Sequence, residues 1–301
     1  MKKTGLLVSL LLASNVIADN AAAAPVDKSH AYGIAIFGFP GCGSVSQTHA
    51  AHTKSANAFR DVFTNLQAWG LWGSSTSVND QGASSAVFTD AARSAQCACS
   101  VQADTSSTGI DSAPVAYIHT HGSHTTAGKG ASQIVTGSAL NGSTCGAATD
   151  TNFLFGNAGG VGKLEIAVVK ACQGADLNVF RNGGYRAMVA SSSRFQVYNG
   201  FHGDSSCGNF VASYVTDYAE DSLVDGVGEN WIDEAYDWGI TADDCPSSIV
   251  YGNSKAARTQ MFAHGGFVDR QLVNASKSGS SYFFVSGCTP VVGTGVAMPN
   301  P

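Results

Sequence analysis

Two short segments of this sequence hold residues that could do nucleophilic chemistry together. His121 and Gly122 follow an apolar run at 115–118, and Cys172 follows a second apolar run at 164–169. The His and the Cys are 51 positions apart. A thiolate is a strong nucleophile, and an imidazole exchanges protons near neutral pH. The pairing therefore predicts acyl transfer by a cysteine, provided that the fold brings the two side chains together.

Both apolar runs read as buried strands, because each is short and bounded by turn residues. In a mostly parallel sheet, the carboxyl ends of neighbouring strands line one crevice. If the two strands are neighbours, His121 and Cys172 lie at the same mouth of the sheet. The intervening residues leave room for the helix or loop that a parallel connection needs.

Residues 170–174 read Lys-Ala-Cys-Gln-Gly. With a His-Gly block upstream, this segment resembles the caspase-like (clan CD) cysteine peptidases, whose signature is Gln-Ala-Cys-[Arg/Gln/Gly]-Gly with a His about 50 residues before it. The departure is Lys170, where caspases carry Gln. The resemblance covers mainly residues 110–195 and implies a three-layer α/β/α sandwich with a mostly parallel sheet.

The resemblance also implies a set of roles. The Cys172 thiolate would attack a peptide carbonyl, and His121 would protonate the leaving amine. The backbone N–H groups of Gly122 and Cys172 would bind the oxyanion. A helix beginning near Asp176 would lower the pKa of the thiol. The partner would be a protein or peptide substrate, with no cofactor and no metal.

Residues 198–203, Tyr-Asn-Gly-Phe-His-Gly, precede a helical pattern. They are similar to a family of bacterial exported proteins with the same His-Gly and Ala-Cys layout. His202 and Asp204 follow what would be the next strand, so they are candidate substrate-binding residues; the alternative is an ordinary Gly-rich turn. We expect Lys170 to be a solvated residue at a strand end.

Alternation of strands and helices along the chain favours an α/β fold with a single domain over residues 25–301. A helix is predicted over 48–69, where Phe59, Val62, Phe63 and Leu66 form one apolar stripe. Trp69 and Trp72 are expected in the core. The other predicted strands are 31–39, 185–190, 249–251 and 282–285, and the other predicted helices are 176–182, 210–223 and 229–238. The polar stretches 73–110 and 123–162 are predicted to be long loops, with one helix near 86–93.

The amino terminus has the pattern of a secretory signal peptide over residues 1–24. Lys2 and Lys3 precede an apolar run at 6–18, and small residues at 21–24 precede Pro25. Cleavage after residue 18 or within 22–24 fits this pattern. The alternative is a membrane anchor, although the run is shorter than the roughly 18–20 residues that a span needs. We expect a secreted or periplasmic protein with no membrane partner after cleavage.

The charge of the chain argues against a nucleic-acid partner. The formal net charge is −6 at pH 7, and Lys and Arg form no cluster that could bind phosphates.

The cysteine count tests the peptidase hypothesis. The chain has eight cysteines, and export permits disulfide bonds. If all eight pair, Cys172 is structural and the hypothesis fails. If Cys172 is a nucleophile, at least one of the other seven also lacks a partner within the chain.

A zinc hydrolase is a second hypothesis. His119, His121 and His124 resemble part of the His-x-His-x-Asp-His motif of metallo-β-lactamase-fold hydrolases, and zinc would activate a water. Ser123 stands where that motif has Asp. A third hypothesis is a secreted binding module that kept a peptidase-like fold without its chemistry. In that case we expect Cys172 to be locked in a disulfide.

Overall fold

The structure is a computed structural model of the chain. It describes residues 27–35, 45–79, 87, 90, 104–120, 122–124, 132–138, 144–148, 153–156, 162–190, 193–205, 208, 210–237, 244–269 and 278–285. The predicted signal peptide and most of the predicted helix near 86–93 lie outside these residues.

The described residues form ten strands and six α-helices. The strands are β1 (Ala31–Ala35), β2 (Ser75–Asn79), β3 (Val115–His119), β4 (Gly122–His124), β5 (Ser132–Ser138), β6 (Thr144–Ala148), β7 (Ile166–Lys170), β8 (Val197–Phe201), β9 (Pro246–Gly252) and β10 (Gly279–Phe284). The helices are α1 (Val45–Ala68), α2 (Leu177–Arg181), α3 (Gly184–Ala187), α4 (Val211–Asp221), α5 (Val227–Asp237) and α6 (Lys255–His264).

Seven strands form one sheet in the order β10-β9-β8-β7-β3-β1-β2. The five strands from β8 to β2 are parallel to one another, whereas β9 is antiparallel to both β8 and β10. The predicted α/β sandwich with a mostly parallel sheet is therefore confirmed. The strands β4, β5 and β6 form a separate three-stranded antiparallel sheet, so the prediction that residues 123–162 are only a loop is wrong.

Both faces of the sheet are covered, because successive apolar side chains along a strand point to opposite faces. In β3, Val115 and Tyr117 lie in the core on one face, and Ala116 and Ile118 lie in the core on the other. Helices α1, α4, α5 and α6 contribute to the first core. The predicted stripe of α1 is confirmed there: Phe59 is fully buried, and its ring stacks on that of Tyr117 at 5.3 Å between centroids.

The end of α1 separates the two tryptophans. Gly70 adopts a left-handed conformation (φ 72°), and its N–H donates to the carbonyl of Gln67 while the N–H of Leu71 donates to that of Leu66. This Schellman arrangement ends the helix and turns the chain back. Trp72 is consequently buried, as predicted, but Trp69 is 81% exposed, so its assignment to the core is wrong.

The second face of the sheet is covered by α2, α3 and the segment around Phe153 and Phe155. Residues 185–190 were predicted to form a strand, but Tyr185 lies in α3, so that prediction is wrong. Tertiary contacts decide this conformation: the Tyr185 hydroxyl donates to the carbonyl of Gly174 and accepts the N–H of Asp176, both at 2.8 Å.

Most other predicted elements are confirmed. Predicted helices at 48–69, 176–182, 210–223 and 229–238 correspond to α1, α2, α4 and α5. Predicted strands at 115–118, 164–169, 249–251 and 282–285 correspond to β3, β7, β9 and β10, and β1 covers the described part of the strand predicted at 31–39. Helix α6 was not predicted. Strand β2 was not predicted either, so the prediction that residues 73–110 are a loop with one helix is wrong at 75–79. Within the described residues, none of the helices combines the length and the apolar character needed to cross a bilayer.

We expect Phe59→Ala to lower the free energy of unfolding by about 3–5 kcal/mol, because it leaves a cavity between α1 and the sheet. The control, Trp69→Ala at an exposed position just after the same helix, should change it by about 0.5 kcal/mol or less. Urea denaturation followed by circular dichroism measures both values. Equal losses in the two variants would contradict the packing of α1 described above.

Candidate active site

The carboxyl ends of β3 and β7 are neighbours in the sheet. The last residues of the two strands, His119 and Lys170, are register partners. Beyond them the chains stay in contact, because the N–H of Thr120 donates to the carbonyl of Lys170 at 3.1 Å. The two strands are therefore adjacent, as the pairing of His121 with Cys172 requires.

Gly122 packs directly against the turn that carries Cys172. A methyl group at Gly122 would collide with the Cys172 carbonyl and with the Ala171 side chain. Only a residue without Cβ fits at this approach without a backbone shift. His121 itself lies outside the described residues.

The turn after β7 has an unusual backbone. Gln173 adopts a left-handed conformation (φ 54°), which non-glycine residues rarely do. Its N–H donates to the carbonyl of Gly203 at 2.7 Å, and the N–H of Ala175 donates to that of Phe201 at 2.8 Å. The hydroxyl of Tyr198 donates to the carbonyl of Gly174 at 2.8 Å. These bonds hold Cys172 on a constrained turn, a kind of strain that is concentrated at functional sites.

Cys172 has a free, partly exposed thiol. The N–H of Ser205 donates to its Sγ at 3.3 Å, and Sγ lies 3.9 Å from the carbonyl oxygen of the same residue. Within the described residues, the backbone N–H of Cys172 has no hydrogen-bond acceptor.

Burial raises the pKa of the Cys172 thiol, and the carboxylates of Asp204 and Asp244 act in the same direction. The Ser205 N–H and the Lys170 ammonium oppose them. The net shift of this pKa is therefore upward, and the lowering expected from a helix near Asp176 stays a prediction. Helix α2 is only five residues long, and desolvation outweighs every contribution that favours the thiolate.

Lys170 is fully buried, so the prediction of a solvated strand-end residue is wrong. Its Nζ donates to Ser205 Oγ at 2.6 Å and lies 5.6 Å from the centre of the Phe201 ring. Burial lowers the pKa of Lys170 to about 8, although the negative charges of Cys172 and Asp244 act in the opposite direction.

His119 lies in a buried cluster with two residues of α1. Ser55 Oγ and His119 Nδ1 are 2.6 Å apart, and the rings of His119 and His52 are 3.8 Å apart at their centroids. Among the described residues, no group of three or more His, Cys, Asp or Glu side chains has a metal-binding arrangement. The ring of His121 and the side chain of His124, which the zinc hypothesis also needs, lie outside the description.

His202 and Asp204 have different surroundings. His202 is buried, and its Nδ1 accepts the N–H of Leu177 at 3.1 Å, so it satisfies a donor at the start of α2. That nitrogen also lies 3.7 Å from Asp176 Oδ1, but as an acceptor it carries no proton to share. Asp204 is partly exposed beside Cys172, and burial raises its pKa. Of the two candidates, Asp204 is the one that faces solvent at the mouth.

Two of the eight cysteines near this site differ in their bonding. Cys245 is disulfide-bonded, whereas Cys172 is free. Seven other cysteines remain, so they cannot all pair with one another within the chain.

Sequence reasoning missed Ser205 and Asp244 and misplaced Lys170. A signal for Lys170 was present, because Ile166, Val168 and Lys170 share one face of β7 by the alternation of a strand. No comparable signal existed for Ser205, which lies in an irregular segment after β8.

Comparison of the chain with protein-family models, with curated proteins and with solved structures found no match.

Because burial raises the pKa of Cys172, we expect its alkylation to be slow near neutral pH. The rate should rise only above the range near pH 8.5 in which an ordinary thiol ionises. Iodoacetamide labelling from pH 6 to 10, with Cys172 located by peptide mass spectrometry, measures the profile. The reference is the same protein unfolded in urea, and a folded-state midpoint at or below the reference would contradict the assigned direction.

We expect Gly122→Ala to lower the free energy of unfolding by about 1–3 kcal/mol, because the methyl group forces Gly122 away from the turn that carries Cys172. Gly252→Ala is the control, since its methyl group would meet mainly the side chain of Arg258. Urea denaturation compares the two variants. A Gly122→Ala variant as stable as the unsubstituted protein would show that Gly122 and this turn are not in close contact.

Proposed function

We propose that this protein is an exported cysteine peptidase of caspase-like type that cleaves peptide bonds with Cys172 and His121. The observation that carries the proposal is the free thiol of Cys172 on a constrained strand-end turn, with Gly122 packed against its carbonyl.

In the proposed reaction, Cys172 Sγ attacks the carbonyl carbon of a peptide bond and forms an acyl-enzyme. His121 accepts the thiol proton as the thiolate forms, and it gives a proton to the amine that departs when the C–N bond breaks. Water then hydrolyses the thioester and regenerates the thiol. The N–H groups of Cys172 and Gly122 are the proposed oxyanion donors, and the N–H of Cys172 has no acceptor in the described part of the chain.

The assignment of His121 is supported by its two covalent neighbours. Thr120 hydrogen-bonds to Lys170, and Gly122 contacts Cys172. Consecutive Cα atoms are about 3.8 Å apart, so the chain connects His121 to both of these contacts. We propose that the His between these two contacts acts as the general acid for Cys172.

The raised pKa of Cys172 is compatible with the proposed chemistry. We propose that the resting thiol is mainly neutral and that substrate binding promotes formation of the thiolate beside His121. Catalytic contacts often tighten only in the complex with substrate.

Two observations favour an active enzyme in an oxidising compartment. The binding-module hypothesis expected Cys172 in a disulfide, and Cys172 is free. Cys245 is disulfide-bonded, and such bonds persist mainly in exported proteins. We therefore retain the proposal of a signal peptide at 1–24, a secreted or periplasmic location and a protein or peptide substrate contacted in part by Asp204.

The test is hydrolysis of a fluorogenic peptide library by the mature protein and its variants. Cys172→Ala should abolish cleavage, and His121→Ala should reduce it by about 10²–10⁴-fold, the usual contribution of a general acid. His264→Ala, an exposed residue at the end of α6, is the control and should retain full activity.

Circular dichroism of each variant confirms that the fold persists. Full activity in folded Cys172→Ala or His121→Ala would exclude the proposed dyad, and so would the absence of cleavage by the unsubstituted protein across the library.

A further inference from the structure

The most unusual charged group near the thiol is a lysine that the proposed mechanism does not use. We propose that Lys170 is a positioning residue that stabilises the Cys172 thiolate through Ser205. This inference deepens the proposed function and rests on it for its role in peptide cleavage, but its effect on the thiol is measurable without a substrate.

A short chain of contacts links the amine to the sulfur. Lys170 Nζ donates to Ser205 Oγ at 2.6 Å, and the backbone N–H of Ser205 donates to Cys172 Sγ at 3.3 Å. One residue therefore binds both the cation and the nucleophile. A shift of the amine would move the N–H donor that faces the sulfur.

The fold holds the amine in place from several sides. Strand alternation directs Lys170 to the same face as Val168, and the Phe201 ring lies 5.6 Å from Nζ. Lys170 is fully buried, so water does not screen its charge as it would at the surface. A buried ammonium is costly unless it is hydrogen-bonded or paired with a negative charge, and a thiolate is such a charge.

The charges around the thiol make this cation important. Lys170 is the cation that favours the thiolate among the described residues, whereas Asp204 and Asp244 disfavour it. Lys170 in turn interacts with Cys172 and Asp244. Among the described residues, the titratable groups that pack at this edge include His119, the register partner of Lys170 in β3, and His52 of α1, whose ring lies against that of His119. Tyr214 of α4, which interacts with Asp244, also belongs to them.

The stabilisation of the Cys172 thiolate by Lys170 should depend on pH. Since burial lowers the pKa of Lys170 to about 8, the amine is charged below that pH and loses its charge above it. Its stabilisation of the thiolate is therefore present below about pH 8 and fades as the pH rises further. A purely structural lysine would give no such dependence.

The experiment compares iodoacetamide alkylation of Cys172 in the unsubstituted protein and in Lys170→Met, from pH 6 to 10. Met keeps much of the length of the side chain and removes the charge. We expect Lys170→Met to react roughly tenfold more slowly at pH 7, because one unit of pKa changes the thiolate fraction about tenfold. The two rates should converge at high pH.

Two further variants complete the design. Ser205→Ala keeps the N–H that faces the sulfur but removes the oxygen that binds Lys170, so it should slow alkylation at pH 7 by a smaller factor. It also tests the proposal if Lys170→Met does not fold. Lys255→Met, on the exposed start of α6, is the matched control and should leave the profile unchanged.

A folded Lys170→Met whose profile coincides with that of the unsubstituted protein would overturn the proposal. A rate ratio that does not vary with pH would also overturn it, and so would a Ser205→Ala profile that is unchanged if Lys170→Met is unfolded. Failure of the peptidase proposal can be told apart from failure of this inference. It would appear as cleavage retained in Cys172→Ala, or as no cleavage by the unsubstituted protein. The alkylation profiles would still change in Lys170→Met.

Discussion

The close approach of Gly122 to the turn at 171–175 is the constraint on which this edge of the molecule depends. Parallel pairing of β3 with β7 places the ends of the two strands side by side, and the absence of a Cβ at Gly122 lets the backbones touch. The neighbouring strand β8 then supplies the segment whose carbonyl and N–H groups bind this turn. Three consecutive parallel strands thus define the surroundings of Cys172, in accord with the general rule that such sheets place their sites at the carboxyl ends of the strands.

Beneath this edge, the interior contains a cluster of polar side chains. His52, Ser55, His119, Lys170 and Ser205 are all buried on the α1 side of the strand ends. Burying such groups is costly unless each is hydrogen-bonded, so a cluster of them lowers stability compared with an apolar core. Violations of ordinary core composition are concentrated at functional sites, and this cluster lies directly against the candidate nucleophile.

The sequence was sufficient to predict those helices and strands whose apolar pattern is long or regular. The stripe on α1 and the runs in β3 and β7 predicted both the elements and the neighbouring strand ends. It was insufficient where distant contacts decide the conformation: Tyr185 lies in a helical turn because its hydroxyl bonds to the turn after β7. The burial of Lys170 follows from strand alternation, but its partner Ser205 lies in an irregular segment that no periodicity describes.

The disulfide at Cys245 gives the site a dependence on its chemical surroundings. The carbonyl of Cys245 accepts the N–H of His202 at 2.9 Å, and the adjacent carbonyl of Asp244 accepts the N–H of Gly203 at 3.1 Å. The cross-link is therefore next to the backbone that supports Ser205 and, through it, the sulfur of Cys172. Thiol enzymes are ordinarily handled in reducing buffers to protect the nucleophile. In this protein the same reductant would break a disulfide beside the candidate nucleophile, so Cys172 and Cys245 favour opposite redox conditions.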